Sequence, residues 1–311
     1  MEFVQLGTSK IKVSSLALGC MNFGTRVDTE MAYRLIDQYY DAGGNFLDTA
    51  NNYAFWHQGG VGGESEQLLG SWLKKRGNRS DVILATKAGA NPMKTGEKEG
   101  LSAKALQAAL DQSLQRLQTD YIDLYYAHFD DKDVAIEETL ETLNRFVKEG
   151  KVRAIGCSNY QVDRLRQAHQ ISQTHDWAAY CCIQQRYTYL KANRDADYGI
   201  QVVADQELLE YCHDNQTTVL AYTALLKGAY SRSEIPEKYQ NKTSIERMTT
   251  LKQVAEELSV SENQVVLAWM RQKPLSALPL ISASKPEQLA ENLASLDVRL
   301  NHDQLKRLGA S

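Results

Sequence analysis

The stretch IDLYYAHFDDKDVAIEETLETLNRFVKEGKVRAIG, residues 122–156, holds the structural unit on which the chain is built. It opens on a β-rich run, Ile122 to Ala127, that ends at His128. Ile136, Leu140, Leu143 and Val147 then recur at the spacing of one helix face, until Gly150 stops the pattern. Val152 to Gly156 begins the next β-rich run. Strand, helix, strand in this order is a βα crossover, and it calls for a parallel sheet.

The same unit recurs in both directions. Strand-like runs occupy residues 16–19, 46–48, 82–86, 122–127, 152–156, 180–183, 218–222 and 278–281, each followed by a helical pattern. One helix opens at Asp28 or Thr29, shows Met31, Leu35, Tyr39 and Ala42 on a face, and closes on Gly43 and Gly44. Another has Ser102 as N-cap and a stripe of Leu106, Leu110, Leu114 and Leu117. A last short helix is expected from Asn301 to Leu308. Eight evenly spaced units with no linker favour one α/β domain over residues 1–311, a closed (β/α)8 TIM barrel rather than an open doubly wound sheet. Phe3 to Leu6 and Ile11 to Val13 flank Gly7-Thr8-Ser9-Lys10 and read as an N-terminal β-hairpin closing one end of the barrel. Residues 226–243 are polar and weakly patterned, as expected of a lid or binding loop.

Of the 311 residues 43% are hydrophobic and 24% charged, and no apolar run is long enough to enter a membrane. Lys plus Arg number 35 against 39 Asp plus Glu, a net charge of -4 with no basic stretch, which argues against nucleic acid and anionic membrane as partners. The first residues lack a charged leader and an apolar signal core, so a cytoplasmic protein is expected. Cys20, Cys157, Cys181, Cys182 and Cys212 form no Cys-x-x-Cys and read as free thiols. The six histidines show no pair at metal-ligand spacing, so no metal is expected, and His169 and His175 are placed on or after an exposed helix. Gly59 to Gly63 lacks the dinucleotide-fingerprint spacing and reads as a loop before a helix. Lys94 to Glu99 reads as a solvated, charge-dense loop.

In a barrel of this kind chemistry is built where strands end. Asp48, Lys87 and His128 stand at three successive strand ends, and Tyr53 follows Asp48 by five residues. Each alone has an ordinary structural reading: a cap, a solvated strand end, a rim histidine, a packed aromatic. Together they place a phenol beside an ammonium, its carboxylate partner and an imidazole. A phenol with a reference pKa of about 10 is a weak acid, and a neighbouring ammonium is expected to lower that value. Such a site can hand a proton to a carbonyl oxygen.

At these residues the chain resembles the aldo-keto reductase family. Asp48-Thr49-Ala50-Asn51-Asn52-Tyr53 is similar to its Asp-Thr-Ala-x-x-Tyr motif, and the run from Asp111 through Asp123 to His128 to its second signature. The resemblance continues in order through Gly63-Glu64-Ser65-Glu66, Ala85-Thr86-Lys87, Gly156-Cys157-Ser158-Asn159, Gln184, Ala221-Tyr222 and Ser284-Lys285-Pro286 with Glu291-Asn292, and so spans nearly the whole chain. It implies hydride transfer between a nicotinamide dinucleotide and a carbonyl carbon. On that resemblance Tyr53 is the general acid, Lys87 lowers its pKa, Asp48 holds Lys87, and His128 orients the carbonyl.

The resemblance also implies the cofactor contacts. Ser158, Asn159 and Gln184 would hold the nicotinamide carboxamide, Tyr222 would stack on its ring, and Leu225 belongs to the following turn, where Thr223-Ala224-Leu225 replaces a frequent Ser-Pro-Leu. Ser284, Lys285, Gln288, Glu291 and Asn292 would bind the adenosine half, with Lys285 facing the 2′-phosphate of NADP. Gln288 stands where many members carry arginine. Lys285 makes NADPH the preferred cofactor, this departure weakens the preference, and NAD is the other option.

Met21, Asn22, Phe23, Trp56, His57 and Phe129 follow strand ends and are expected to line the substrate pocket. Their mixture fits a small-molecule carbonyl partner, either a polyhydroxy compound such as a sugar or cyclitol, or a general aldehyde. The alternative from another class is a non-catalytic, cofactor-sensing subunit of a larger assembly, which would keep the same residues. A barrel lyase or hydrolase would need opposed carboxylates or metal ligands on the rim, and neither pattern is present. No helix carries an apolar stripe separable from barrel packing, so the sequence does not specify the oligomeric state.

Overall fold

The computed structural model describes residues 1–90, 96–232 and 235–309. Strands β1 (Phe3–Gln5) and β2 (Lys12–Ser14) pair antiparallel, with Val4 opposite Val13. Eight parallel strands follow: β3 (Ala17–Gly19), β4 (Phe46–Asp48), β5 (Ile83–Ala88), β6 (Ile122–Ala127), β7 (Val152–Ser158), β8 (Tyr180–Arg186), β9 (Thr218–Tyr222) and β10 (Leu278–Ile281). They close in sequence order, with β10 pairing both β9 and β3. This is the expected (β/α)8 barrel with its hairpin.

The helices between them are α1 (Thr29–Asp41), α2 (Glu64–Arg76), α3 (Ala103–Leu117), α4 (Ile136–Lys148), α5 (Val162–His175) and α6 (Gln206–Asp214). Two more, α7 (Lys242–Leu258) and α8 (Glu262–Gln272), separate β9 from β10, and α9 (Pro286–Ala294) and α10 (His302–Arg307) follow. Local chemistry sets their starts: Asp28 accepts from the Met31 amide and Ser102 from the Ala105 amide, while Ser261 with Gln264 and Asn301 with Gln304 form capping boxes. No helix among the described residues is long and apolar enough to cross a membrane.

The hairpin is a plug. Leu6 and Val13 pack beneath Ala17, Phe46, Ala85, Leu124, Tyr126, Cys182, Leu220 and Leu278, the side chains that fill the barrel. Gly156 makes room for this filling: an added Cβ would stand 2.8 Å from Cys182 Sγ and 2.9 Å from the Tyr126 ring. The five cysteines are free and buried.

Several expectations change. On α1 the buried face is Ala32, Leu35, Ile36 and Tyr39, whereas Ala42 is exposed at the C-cap, because the helix turns past the core before it ends. The ladders of β5, β7 and β8 run past their apolar runs, so Lys87, Ser158 and Gln184 lie within strands and not after them. Residues 226–243 are not one open loop: two 3-10 turns, Leu226–Ser231 and Glu237–Tyr239, lead into α7. His169 is half-buried, with one ring nitrogen 2.8 Å from the Tyr211 hydroxyl and the other 3.0 Å from the Tyr180 carbonyl. Of the charge-dense stretch, Lys94 lies outside the described residues, Lys98 pairs with Asp131 at 2.7 Å and with Asp133, and Glu99 turns inward.

Helix α2 lies so close to α3 that a Cβ on Gly70 would collide with the Arg116 carbonyl oxygen and stand 2.7 Å from the Leu117 carbonyl carbon. Backbone cannot yield as a flexible side chain would, so Gly70→Ala should push the helices apart. A stability loss of about 1–3 kcal/mol is expected, read as a lower midpoint in thermal or urea unfolding; an unchanged midpoint would contradict this close packing.

Candidate active site

Asp48 ends β4, Lys87 lies one residue before the end of β5, and the backbone at the end of β6 carries His128. The parallel register sets Asp48 beside Ala85 and Lys87 beside Tyr126. The turn after β4 is tied back to β5 by two bonds, Thr49 N to Ala85 O at 2.9 Å and Asn51 N to Lys87 O at 3.1 Å, and it delivers Tyr53 over the barrel mouth. There the Lys87 ammonium donates to Asp48 Oδ1 at 2.5 Å, to the Thr49 carbonyl at 2.7 Å and to the Tyr53 hydroxyl at 3.1 Å. The His128 ring meets the Tyr53 ring edge to face, centroids 5.9 Å apart. All four predicted residues therefore converge.

Electrostatics refines the expectation for Tyr53. Burial pushes its phenol up, Lys87 pulls it down and Asp48 pushes it up again, and the net result lies above the ordinary tyrosine value. Lys87 has the expected direction of influence, but desolvation is larger. For Lys87, burial would pull the ammonium down, yet Asp48 and Tyr53 outweigh it and hold the group above the usual lysine value. Burial, helped by Lys87, holds the His128 imidazolium far below the usual histidine value. At neutral pH the site thus contains a neutral phenol, a charged lysine and a neutral imidazole.

Next to the tetrad, Ser158, Asn159, Gln184 and Tyr222 form one bonded cluster. Ser158 Oγ donates to the Gln184 carbonyl at 2.7 Å, Asn159 Nδ2 donates to the His128 carbonyl at 3.1 Å, and the Tyr222 hydroxyl donates to Asn159 Oδ1 at 2.6 Å. Gln184 Nε2 donates to Asp48 Oδ2 at 2.8 Å, so this side chain steadies the tetrad directly.

The family model for the aldo/keto reductase family matches residues 15–311. Norsolorinic acid reductase stcV of Emericella nidulans is 31% identical over 95% of this chain and 77% of its own length. Aryl-alcohol dehydrogenase GME11368 of Pestalotiopsis microspora is 29% identical over 97% of this chain and 79% of its own, and the uncharacterized oxidoreductase YrpG of Bacillus subtilis 30% over 99% and 95%. The chain belongs to the aldo/keto reductase family. It is accordingly an oxidoreductase of carbonyl chemistry, in a family that generally uses NAD(P)H.

In this aldo/keto reductase a second polar cluster starts at α9, whose N-terminus follows the C-terminal end of β10. Lys285 is its N-cap, exposed, without a side-chain cap bond, and outside every salt bridge among the described residues. Gln288 Oε1 accepts from the Ser284 amide at 2.9 Å and its hydroxyl at 3.1 Å. Glu291 Oε1 accepts from Ser261 at 2.6 Å and Asn263 at 3.2 Å, and Asn292 Nδ2 donates to the Ser282 carbonyl at 3.4 Å. Leu225 is the residue that enters the first 3-10 turn.

The expected substrate residues divide. Phe129 stacks on His128 at 4.6 Å and Trp56 stands edge-on to Tyr53 at 6.1 Å, 44% exposed, so both flank the tetrad. Met21 is exposed and Asn22 half-buried on the loop after β3. Phe23, in contrast, is 1% exposed and belongs to the hydrophobic core, bridged to Val27, which removes it from the pocket lining. His57 donates through Nδ1 to the Gln58 carbonyl at 3.1 Å. The loop at Gly59 to Gly63 precedes α2 as expected, with Glu64 accepting from the Val61 and Gly62 amides at 2.6 and 3.0 Å.

Two residues near the site, buried Gln185 and half-buried Glu99, have no signal in the local sequence pattern. Gln185 accepts from the Asn159 amide at 2.6 Å and donates to the Tyr160 carbonyl at 2.6 Å. Glu99 is treated below.

The depressed His128 imidazolium makes folding pH-dependent. Unfolded histidine takes a proton near pH 6.5 whereas folded His128 does not, so below that pH the unfolded chain binds more protons and stability falls as pH drops. Chemical unfolding between pH 7.5 and 5.5 should show this decline, and it should be shallower in His128→Asn. Equal slopes in the two proteins would contradict a neutral buried imidazole.

Proposed function

We propose that this chain reduces an aldehyde or ketone to the alcohol with NADPH, Tyr53 donating the proton. The observation that carries the reading is the buried junction in which Lys87 lies 2.5 Å from Asp48 and 3.1 Å from the Tyr53 hydroxyl at the mouth of the barrel. Tyr53 is protonated at neutral pH and so arrives loaded as a general acid. As its proton moves to the carbonyl oxygen, the negative charge left on the phenol oxygen is met by the Lys87 ammonium. Asp48 and the Thr49 carbonyl keep that ammonium charged and in place. The neutral His128 ring offers a hydrogen bond to the same carbonyl oxygen; its Nδ1 is buried and has no hydrogen-bond partner among the described residues.

The residues present fit a nicotinamide cofactor, which supplies the hydride when bound. Ser158, Asn159 and Gln184 would hold its carboxamide and Tyr222 its ring. Lys285, in no salt bridge among the described residues, and the α9 amides that follow Pro286 suit a 2′-phosphate. Ser284, Gln288, Glu291 and Asn292 would face the adenosine, and Leu225 the turn beside it.

For the substrate we favour a carbonyl compound with an aromatic or apolar body. Trp56 and Phe129 supply flat apolar walls beside the tetrad. The names of two relatives, a norsolorinic acid reductase and an aryl-alcohol dehydrogenase, point the same way. Five free buried thiols suit a reducing, cytoplasmic compartment.

Two measurements test the reading. Tyr53→Phe should lower kcat for aryl aldehydes by about 100- to 10,000-fold, the usual worth of a placed general acid, while its cofactor affinity, followed by fluorescence quenching, stays close to that of the unaltered protein. Retained activity would reject the proton-donor role, and absence of any turnover in the unaltered protein would favour the sensing subunit. Lys285→Ala should weaken NADPH binding by about tenfold or more and leave NADH nearly unaffected, because one phosphate contact of this kind is worth roughly 1.5–3 kcal/mol; equal losses for both would move the phosphate elsewhere.

A further inference from the structure

Beyond Ala88 the strand β5 leaves the sheet. Gly89 turns with φ 85°, and two successive amides, Gly89 and Ala90, are left without a neighbouring strand. Both donate to one oxygen of Glu99, at 2.7 and 3.0 Å. The other oxygen accepts from Asn51 Nδ2 at 2.6 Å, and the Glu99 amide returns to the Ala90 carbonyl at 2.9 Å. Asn51 and Ala90 are buried, so these bonds lie where water competes little.

We propose that Glu99 is a positioning residue for the Tyr53–Lys87 pair, its carboxylate tying the turn that leads to Tyr53 to the end of the strand that carries Lys87. This rests on the carbonyl-reductase reading of the Tyr53 site. Glu99 makes no hydrogen bond to Asp48, Tyr53, Lys87 or His128; it acts on the two backbone segments whose separation sets the 3.1 Å contact between ammonium and phenol. Asn51 lies three residues after Asp48 and two before Tyr53, and Gly89 two after Lys87, so the carboxylate spans both segments close to their reactive side chains. Without it, three donors in or at the edge of the core lose their acceptor, and the turn keeps the Thr49 and Asn51 amide bonds to β5 and the bonds that Lys87 itself donates to the Thr49 carbonyl and the Tyr53 hydroxyl. Arg116, the cation whose charge acts on Glu99, already pairs with Glu66 at 2.6 Å.

The test is Glu99→Gln in the full chain, which keeps the size of the side chain and puts a donor where donors converge. Hydrogen exchange should speed up in residues 49–55 and 86–90. kcat for carbonyl reduction should fall by about 10- to 100-fold, the effect of misplacing a reacting group by around 1 Å, with a smaller change in KM. In alcohol oxidation, where the phenolate is the base, the pH profile should shift to higher pH. The groups facing Tyr53 are Lys87, Asp48, Cys20, His128 and Tyr222, and of the first three, which shift its titration, lysine alone favours phenolate. A looser lysine contact therefore leaves the upward push of burial less opposed.

Asp123→Asn, which disturbs the Arg79 and Arg153 pairs at the far end of β6, is the control: it should destabilise the protein without shifting the pH profile. Asn51→Ala removes one of the three bonds and should show a smaller change in the same direction, also serving if Glu99→Gln does not fold. The double variant should lose less than the product of the two single losses. An unshifted pH profile with unchanged exchange in both segments overturns the proposal. If the unaltered protein turns over no carbonyl, the reductase reading fails, and exchange alone still decides whether Glu99 holds the two segments.

Discussion

A lysine ammonium with 0% of its side chain exposed is costly, several kcal/mol for an unpaired ion, and Lys87 is tolerated because every direction around it is supplied with negative charge or lone pairs. Asp48 takes the charge, the Thr49 carbonyl and the Tyr53 oxygen take the remaining protons, and the faces of the Tyr53 and Tyr126 rings lie 5.0 and 5.5 Å away. None of these partners can leave without stranding the ion. The loop that delivers Tyr53, the strand register that sets Asp48 beside β5, and the aromatic filling of the barrel are all constrained by that one buried charge.

The same constraint fixes the protonation pattern. In water a lysine beside a tyrosine would simply make it more acidic. Inside the barrel mouth the desolvation of the phenolate is the larger effect, and the phenol stays protonated. Burial acts on His128 in the opposite sense chemically, since its charged form is the cation, and leaves it neutral. One environment thus keeps the phenol protonated and its neighbour uncharged, with the charge on the Lys87–Asp48 pair. Gln184 extends the arrangement by bonding the second oxygen of Asp48.

Much of this was legible in the residues. The eight βα units, the hairpin, the helix start at Asp28, the cap at Ser102, and the convergence of Asp48, Tyr53, Lys87 and His128 follow from periodicity and from the rule that barrel chemistry sits at strand ends. Other features were not. Phe23 follows a strand end as Asn22 does, but its bridge to Val27 turns it into the core. Glu99 belongs to a run of charges that looks solvated, and it becomes a half-buried acceptor because β5 ends in two amides that it bonds. The ladders of β7 and β8 run into polar residues because backbone pairing does not depend on side-chain polarity.

The sequence by itself determined the architecture and which polar residues meet at the barrel mouth, because helix and strand periods and the order of polar strand ends are properties of neighbours along the chain. Only the tertiary structure decided which side chains share hydrogen bonds across the barrel mouth, that Tyr53 is held above and His128 below its ordinary pKa, and that Glu99 joins two strand ends. Those outcomes depend on burial and on distances between residues tens of positions apart, where desolvation and a difference of an ångström outweigh anything local sequence expresses.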